Sequence, residues 1–381
     1  MSAAGEPTTP TPLGVAMIGY AFMGKAHSQA WRNVAAYFDV PAVEQRVLVG
    51  RDAEQVAQAA ARFGWAEAAT DWHEVIARDD VHIVDICAPG SLHAEIAVAA
   101  LEAGKHVLVE KPLANSLAES ERMVAAARSA REHGVQSMVG FNYRRVPALA
   151  YARRLIADGR LGTIRQVRAS YLQDWLADES APMTWRLRKE TAGSGALGDI
   201  ASHAIDQIQF LLGDTVTDVS GRLHTFVGRR PGDGGLENVT VDDAAWATLS
   251  LSGGALASVE VSRVALGRKN SLQIEVYGSR GALTFDLERL NELQFLDGAA
   301  PDAEQGFRRI VVTEPDHPYA GAWWPPGHVI GWEHTFTHQI QDFLICIRDG
   351  TAPSPSFEEG LQVQRVLAAI EQSDAAKSVR L

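Results

Sequence analysis

From residue 14 to about 140, short runs that are apolar at nearly every position alternate with longer stretches whose apolar positions recur every three or four residues. The apolar runs are GVAMIGY, RVLVG, HIVDICA, HVLVE and SMVGFN, and the periodic stretches fall at 24–37, 53–63, 93–103 and 116–133. Strands apolar on both faces, each followed by a helix, belong to a parallel sheet covered on both sides. HAEIAVAALEAG stops at Gly104, a residue suited to the left-handed position after a helix, and the next strand begins two residues later. The pattern predicts a doubly wound α/β domain over 13–141.

Beyond residue 162 the period changes to two. TIRQVRASYLQDW, DDAAWATLSLSGGALASVEVSRVA and NSLQIEVYGSRGALTFDLERLNELQFLD alternate; in LQIEVYG, Leu272, Ile274 and Val276 face one way and Gln273, Glu275 and Tyr277 the other. Ser252, Gly253 and Gly254, and later Gly278 with Gly281, punctuate hairpins. Helices are expected at 193–213, 333–349 and 357–376, and long loops at 229–243 and 316–332. The whole of 142–381 reads as a second, α+β domain with a mostly antiparallel sheet.

Composition narrows the class. No apolar run reaches the roughly 20 residues of a membrane helix, and MSAAGEPTTPTPL lacks a basic and an apolar region, so 1–12 reads as a disordered lead rather than a signal peptide. The two cysteines, Cys87 and Cys346, sit in apolar runs and suit a reducing cytoplasm. A net charge of −12 with dispersed Lys and Arg opposes a nucleic-acid partner. The 12 histidines form no HExxH pair, and no metal is expected.

Gly19-Tyr20-Ala21-Phe22-Met23-Gly24 follows the first strand and opens the first helix, where a dinucleotide fingerprint must fall in a Rossmann domain. There the first Gly permits the bend, a small second position admits pyrophosphate to the backbone amides, and the third lets helix and strand approach. Gly19, Ala21, Phe22, Met23 and Gly24 are thus cofactor candidates. At the end of the second strand, Gly50-Arg51-Asp52 sets a small residue before an arginine, the arrangement that accommodates a 2′-phosphate. NAD(P) is the expected cofactor, with NADP favoured, although Asp52 could reach a ribose and Arg51 could be merely solvated.

Glu110-Lys111-Pro112 ends the fourth apolar run, at the carboxyl edge of the sheet where ligands of such sheets collect. Pro112 excludes helical backbone at Lys111 and permits a cis bond. A second constellation is GSGALGDIASHAID, 193–206. On a helix, Asp199, His203 and Asp206 fall within roughly 60° of one another, opposite an apolar stripe of Ile200, Ala204, Ile205, Ile208, Leu211 and Leu212. A histidine near a carboxylate is a candidate acid/base, its protonated form stabilised by the acid.

With these residues in place, the sequence resembles the glucose-fructose oxidoreductase and inositol dehydrogenase family over nearly its whole length. The matching blocks are 19–24, Thr70-Asp71-Trp72, Ala88-Pro89-Gly90-Ser91-Leu92-His93, Glu110-Lys111-Pro112, Asn142-Tyr143-Arg144-Arg145, Trp185-Arg186 and Gly198-Asp199 through His203. Within it, 140–148, 171–175 and 192–203 are similar to the levoglucosan dehydrogenase branch, which implies oxidation at C3 of a pyranose. The resemblance implies a catalytic set of Lys111, Asp199 and His203, with Trp72, Ala88, Pro89, His93, Glu110, Lys111, Trp185 and Arg186 lining the cofactor. It also implies that 142–381 is an α+β domain with a large, mostly antiparallel open sheet, which binds substrate and whose exposed face builds a homodimer or homotetramer. Lys111, Asp199, His203, Tyr143, Gln173 and Asp174 are substrate-contact candidates, as is the loop around Trp323 and Trp324. Inositol oxidation, ketone reduction, or a regulator that binds the dinucleotide without turnover are the alternatives; the last would not need Lys111 and His203.

Overall fold

The computed structural model describes residues 11–375; residues 1–10, most of the expected lead, lie outside them. The first half runs β1 (Leu13–Ile18), α1 (Phe22–Tyr37), β2 (Val43–Val49), α2 (Ala53–Phe63), β3 (Glu67–Ala69), α3 (Trp72–Ile76), β4 (Ile83–Ile86), α4 (His93–Glu102), β5 (His106–Val109), α5 (Leu117–Arg131) and β6 (Ser137–Val139). The strands form a parallel sheet in the order β3-β2-β1-β4-β5-β6. Val15, Ala16 and Met17 of β1 and Ile83, Val84 and Ile86 of β4 are fully buried, which is what a sheet covered on both faces requires. Only β3 and α3 escape the sequence pattern, being too short to show a period. The order reverses between β1 and β4, so the crevice beyond their carboxyl ends is the switch point where such sheets bind ligands.

The second half runs α6 (Pro147–Ala157), β7 (Ile164–Leu172), α7 (Lys189–Ala192), α8 (Ser202–Leu212), β8 (Val216–His224), β9 (Arg229–Gly232), β10 (Gly235–Asn238), β11 (Ala244–Leu251), β12 (Leu256–Ser262), β13 (Ser271–Gly278), β14 (Gly281–Asp286), β15 (Glu292–Asp297), β16 (Arg308–Val311), α9 (His334–Asp349) and α10 (Phe357–Ala375). Eight strands form one sheet, β16-β15-β14-β13-β7-β12-β11-β8, antiparallel except for β7 beside β12. Leu272, Ile274 and Val276 are buried and their alternates half-buried, as the period-two pattern requires. One face carries α6, α8 and α10. The other leaves Trp246 and the polar side chains of Arg168, Glu260 and Glu275 open.

The segment 229–243 is not the loop its Gly and Pro content suggests. Its first ten residues make the β9–β10 hairpin across Asp233-Gly234, whose turn chemistry outweighs the low strand propensity of four-residue arms. Helix α9 returns to the first half and packs on α1, with Phe336, Ile340, Phe343 and Leu344 in the core beneath β1. Helix α10 lies against both α5 and β8. Among the described residues no helix is long and apolar enough to cross a membrane.

Candidate functional site

The turn after β1 is shaped by close approach. Gly19 has φ +109°, and a Cβ there would stand 2.5 Å from the Cys87 carbonyl oxygen; a Cβ on Gly24 would stand 2.2 Å from the Gly19 oxygen. Ala21 begins α1 without a side-chain cap and no acid occupies the first turn, so the helix presents its free N–H donors and positive end to the crevice. Met23 is half-buried against the core. Phe22 is 66% exposed, its ring stacked on Trp332 at 5.4 Å. These features fit a dinucleotide pyrophosphate.

At the end of β2, a Cβ on Gly50 would lie 2.0 Å from the Tyr20 ring, so that ring fills the place of a side chain at 50. Arg51 is exposed. The Asp52 carboxylate caps α2, accepting from the Gln55 N–H at 2.9 Å and from its Nε2 at 3.2 Å, and so is already engaged. Trp72 opens α3 and stacks on His73 at 3.6 Å. Ala88 and Pro89 follow β4. Behind them His93 is buried with its ring nitrogens 3.0 Å from the carbonyl oxygens of Pro112 and Ala88, pinning the loops after β4 and β5 together. Burial lowers its pKa, the carbonyl contacts opposing.

Glu110 is also buried and engaged with protein. One carboxylate oxygen meets His27 Nε2 at 3.0 Å and the other accepts from the Lys111 N–H at 3.3 Å. His27 Nδ1 lies 2.8 Å from Asp85, which also accepts from Trp31 Nε1 at 2.7 Å. Burial opposes the His27 charge, but Asp85 outweighs it and raises the pKa well above the ordinary value. His27, Asp85 and Cys87 hold donor atoms within 4.8 Å of one another, a grouping absent from any sequence motif.

The Lys111–Pro112 bond is cis. Lys111 Nζ donates to the Asp199 carbonyl at 2.6 Å and approaches Asp199 Oδ1 at 3.2 Å. Asp199 does not lie on a regular α-helix: Leu197–Ala201 form a π turn that leads into α8. Buried Asp242 holds the start of this turn, accepting from the N–H groups of Gly195 and Leu197, each at 2.8 Å. The turn alters the face predicted at 100° per residue. Asp206 points away from the site, fully buried against Arg144 at 2.6 Å. The rest of α8 is buried almost all round, not along one stripe.

The charges at the site oppose one another. Burial works against an ionised Asp199, but Lys111 and Arg263, with Arg186 further off, outweigh it and hold its pKa below the usual carboxylate value. At His203 the expected stabilisation of the imidazolium by a carboxylate is present but outweighed. Burial first and the Lys111 charge second push its pKa well below 6.5, against the smaller pull of Asp199. Its ring is neutral at working pH, 6% exposed, with Nδ1 buried and unpartnered.

Around His203 the second sheet supplies a polar wall. The Tyr143 ring lies 4.6 Å from the imidazole, and its hydroxyl is 2.9 Å from that of Tyr171. Asn270 Oδ1 accepts from Tyr171 at 2.7 Å and from Gln173 Nε2 at 2.8 Å, and Trp175 Nε1 donates to Gln173 at 2.9 Å. Asp174, one residue on, faces the other way and is tied to Lys269 Nζ at 2.7 Å. Trp185 is 40% exposed, with the Arg186 guanidinium over its ring at 4.4 Å. Trp323 and Trp324 are not at this wall: Trp323 donates to His338 and packs with Trp324 on Tyr37. The tryptophan of that loop which reaches it is Trp332, donating to the Tyr143 hydroxyl at 3.3 Å.

Asn270, Trp332, Asp242 and Arg263 were not singled out by the sequence. The available signals were an acid pair opening the apolar strand DDAAWATL and an arginine closing the alternating strand LASVEVSR.

Residues 13–141 match an oxidoreductase family with an NAD-binding Rossmann fold, and residues 149–284 match the GFO/IDH/MocA C-terminal domain. Levoglucosan dehydrogenase of Pseudarthrobacter phenanthrenivorans is 41% identical over 96% of this chain and 97% of its own length. An oxidoreductase domain protein from Kribbella flavida, of solved structure, superimposes with a TM-score of 0.94 at 57% identity, covering 96% of this chain and 98% of that one. A levoglucosan dehydrogenase in complex with NADH and levoglucosan superimposes with a TM-score of 0.93 at 42% identity, covering 97% and 98%.

Proposed function

We propose, since this chain belongs to the GFO/IDH/MocA oxidoreductase family and carries its NAD-binding Rossmann fold, that it oxidises a secondary hydroxyl of a sugar or cyclic polyol, C3 of a levoglucosan-like pyranose. One observation carries this reading: an ammonium from the first half, Lys111, meets the carboxylate of Asp199 from the second at 3.2 Å, beside the neutral imidazole of His203. The similarity to levoglucosan dehydrogenase supports the choice of sugar.

A secondary alcohol releases hydride readily only if its proton leaves in step, so a base must reach the hydroxyl. His203 takes that proton, because its depressed pKa keeps a ring nitrogen free to accept. Lys111 stabilises the developing alkoxide by its charge, and Asp199 orients the hydroxyl. Bound NAD supplies the hydride acceptor at C4 of its nicotinamide. Residues 13–141 would hold it, by Gly19, Ala21, Phe22, Met23 and Gly24 toward the pyrophosphate and Trp72, Ala88 and Pro89 around the remainder, with His93 and Glu110 supporting from behind, and the second half would add Trp185 and Arg186. Residues 142–381 bind substrate through Tyr143 and Gln173. Exposed Arg51 offers a charge for the 2′-phosphate of NADP as well. We also place the protein in the cytoplasm as a homodimer or homotetramer, joined through the open face of the eight-stranded sheet.

The test is a panel of levoglucosan, myo-inositol, glucose and glycosides with NAD and with NADP, followed at 340 nm. Turnover of levoglucosan above the other substrates is expected; no turnover of any hydroxyl substrate with either cofactor rejects the reading. In the same assay Arg51→Ala should weaken NADP more than NAD, and equal loss removes Arg51 from the site.

A further inference from the structure

Arg263 follows β12 and is 1% exposed, among the largest fully buried side chains of the protein. A guanidinium carries five N–H donors, yet among the described residues this one makes a single side-chain hydrogen bond, from Nη2 to the Asp242 carbonyl at 3.1 Å. Its Nε is buried without a partner. Its Nη1 lies 3.8 Å from Asp199 Oδ2, the oxygen Lys111 does not bond. Its planar face lies over Trp175, 5.5 Å from the ring centroid. The backbone is fixed on both sides, with Arg263 N–H donating to the Asp243 carbonyl and Leu176 N–H donating to the Arg263 carbonyl. A Cβ at Gly195 would stand 1.7 Å from the Asp242 carbonyl oxygen and 2.8 Å from Nη2, so a glycine ahead of the π turn lets that backbone approach and leaves space beside it for the cation.

A buried guanidinium so sparsely bonded needs a counter-charge. The Asp242 carboxylate feels the cation too but spends its oxygens on two backbone N–H groups, and the acid that Nη1 faces is Asp199. We propose that Arg263 is a positioning residue for the hydroxyl-handling site, holding the Asp199 carboxylate by its second oxygen while Lys111 holds the first, and tying it to the Trp175–Gln173 wall. This rests on the reading of Asp199 as the acid that orients the substrate hydroxyl. Two cations on two oxygens fix the carboxylate's rotation; one cation would leave it free to turn about its Cβ–Cγ bond. The same arrangement keeps the acid ionised so near the hydroxyl. The groups that face Asp199 are Lys111 from the loop after β5, Arg263 from the end of β12, Arg186 from the segment before α7, Tyr171 from β7 and His203 from α8.

The test compares Arg263→Gln, which removes the charge and keeps an amide donor, with Arg263→Lys, which keeps the charge and loses the planar reach. The Asp199 carboxyl is titrated by carbon NMR on protein labelled at aspartate, its signal identified by its loss in Asp199→Asn. In Arg263→Gln it should titrate about one pH unit higher than in the parent, the effect of losing one nearby opposite charge. In Arg263→Lys it should stay near the parent value. Sugar KM should rise about tenfold in Arg263→Gln while the NADH Kd changes less than about twofold, since the residue lies on the substrate side. An unchanged Asp199 titration in folded Arg263→Gln overturns the proposal. If Arg263→Gln does not fold, Arg263→Met, which also removes the charge, takes its place, and an unchanged Asp199 titration there overturns the proposal. The titration needs no turnover, so a failure of the sugar dehydrogenase reading in the substrate panel is told apart from a failure here.

Discussion

A lysine, a carboxylate and a histidine in one cleft would be an unremarkable ion-pair network if all three were charged. Their order of protonation gives the group a direction. Asp199 is held ionised by Lys111 and Arg263 against the cost of its own burial, while burial and Lys111 together keep His203 neutral. The base is therefore free at pH values where a solvated histidine would already be half protonated. Lys111→Ala and His203→Ala should each lower turnover at least about 100-fold, the usual scale of an acid/base or charge-stabilising group. They should leave the thermal transition present. Turnover near the parent's in either variant would remove that residue from the chemistry. The pH profile offers a second reading of His203: the acid limb of kcat/KM should fall below about pH 6.5, the ordinary histidine value.

Two devices at the level of elements place these groups. On the first sheet, β5 ends in a loop clamped from beneath by Glu110, with His27 and Asp85 behind it, and from the side by His93. On the second, the chain enters α8 through a π turn anchored by Asp242, so that Asp199 meets Lys111 while His203 faces the tyrosine wall. Asp206, three residues further, belongs to a different task. It accepts from both Nε and Nη2 of Arg144, which also reaches Glu359 of α10 at 2.6 Å. Asp206→Ala should therefore cost stability more than chemistry. Leaving Arg144 buried without its main partner is expected to cost about 3–5 kcal/mol, measured by urea unfolding. A loss under about 1 kcal/mol, or a fall in turnover with stability intact, would return Asp206 to the active face.

At the scale of the molecule, buried histidines should govern how stability depends on pH. Burial lowers the pKa values of His93 and His203, that of His106 to about 4 and that of His338 to about 3. Below about pH 6.5 the unfolded chain takes up protons at these four positions that the folded chain refuses. Each such proton removes about 1.4 kcal/mol of stability per pH unit. His27 acts in the opposite sense. Its raised pKa makes its contribution fully present below about pH 6.5 and lost as pH rises through the folded value. The melting temperature should therefore peak between about pH 6.5 and 7, falling steeply on the acid side and gently on the alkaline side. A flat profile from pH 7 to 5 would contradict the burial of those rings.

Most of the architecture was legible along the chain because it depends on local period. Five parallel strands, the helices between them and the alternation of Leu272, Ile274 and Val276 follow from which faces must be buried. The fingerprint turn and the cis-proline loop were legible because glycine and proline restrict backbone in ways residue type alone announces. Where the chain departed from the period, the sequence misled. A helical wheel put Asp206 beside His203, and a Gly-Pro-rich stretch hid the β9–β10 hairpin. The state of the charges was not legible at all. Asp199 and His203 are only four residues apart, and their protonation is decided by burial and by Lys111, 88 residues before Asp199 in the chain, with Arg263, just past β12, acting on Asp199. Ionisation depends on distance through space and on the water excluded from between the groups, and neither quantity exists until the two sheets have packed.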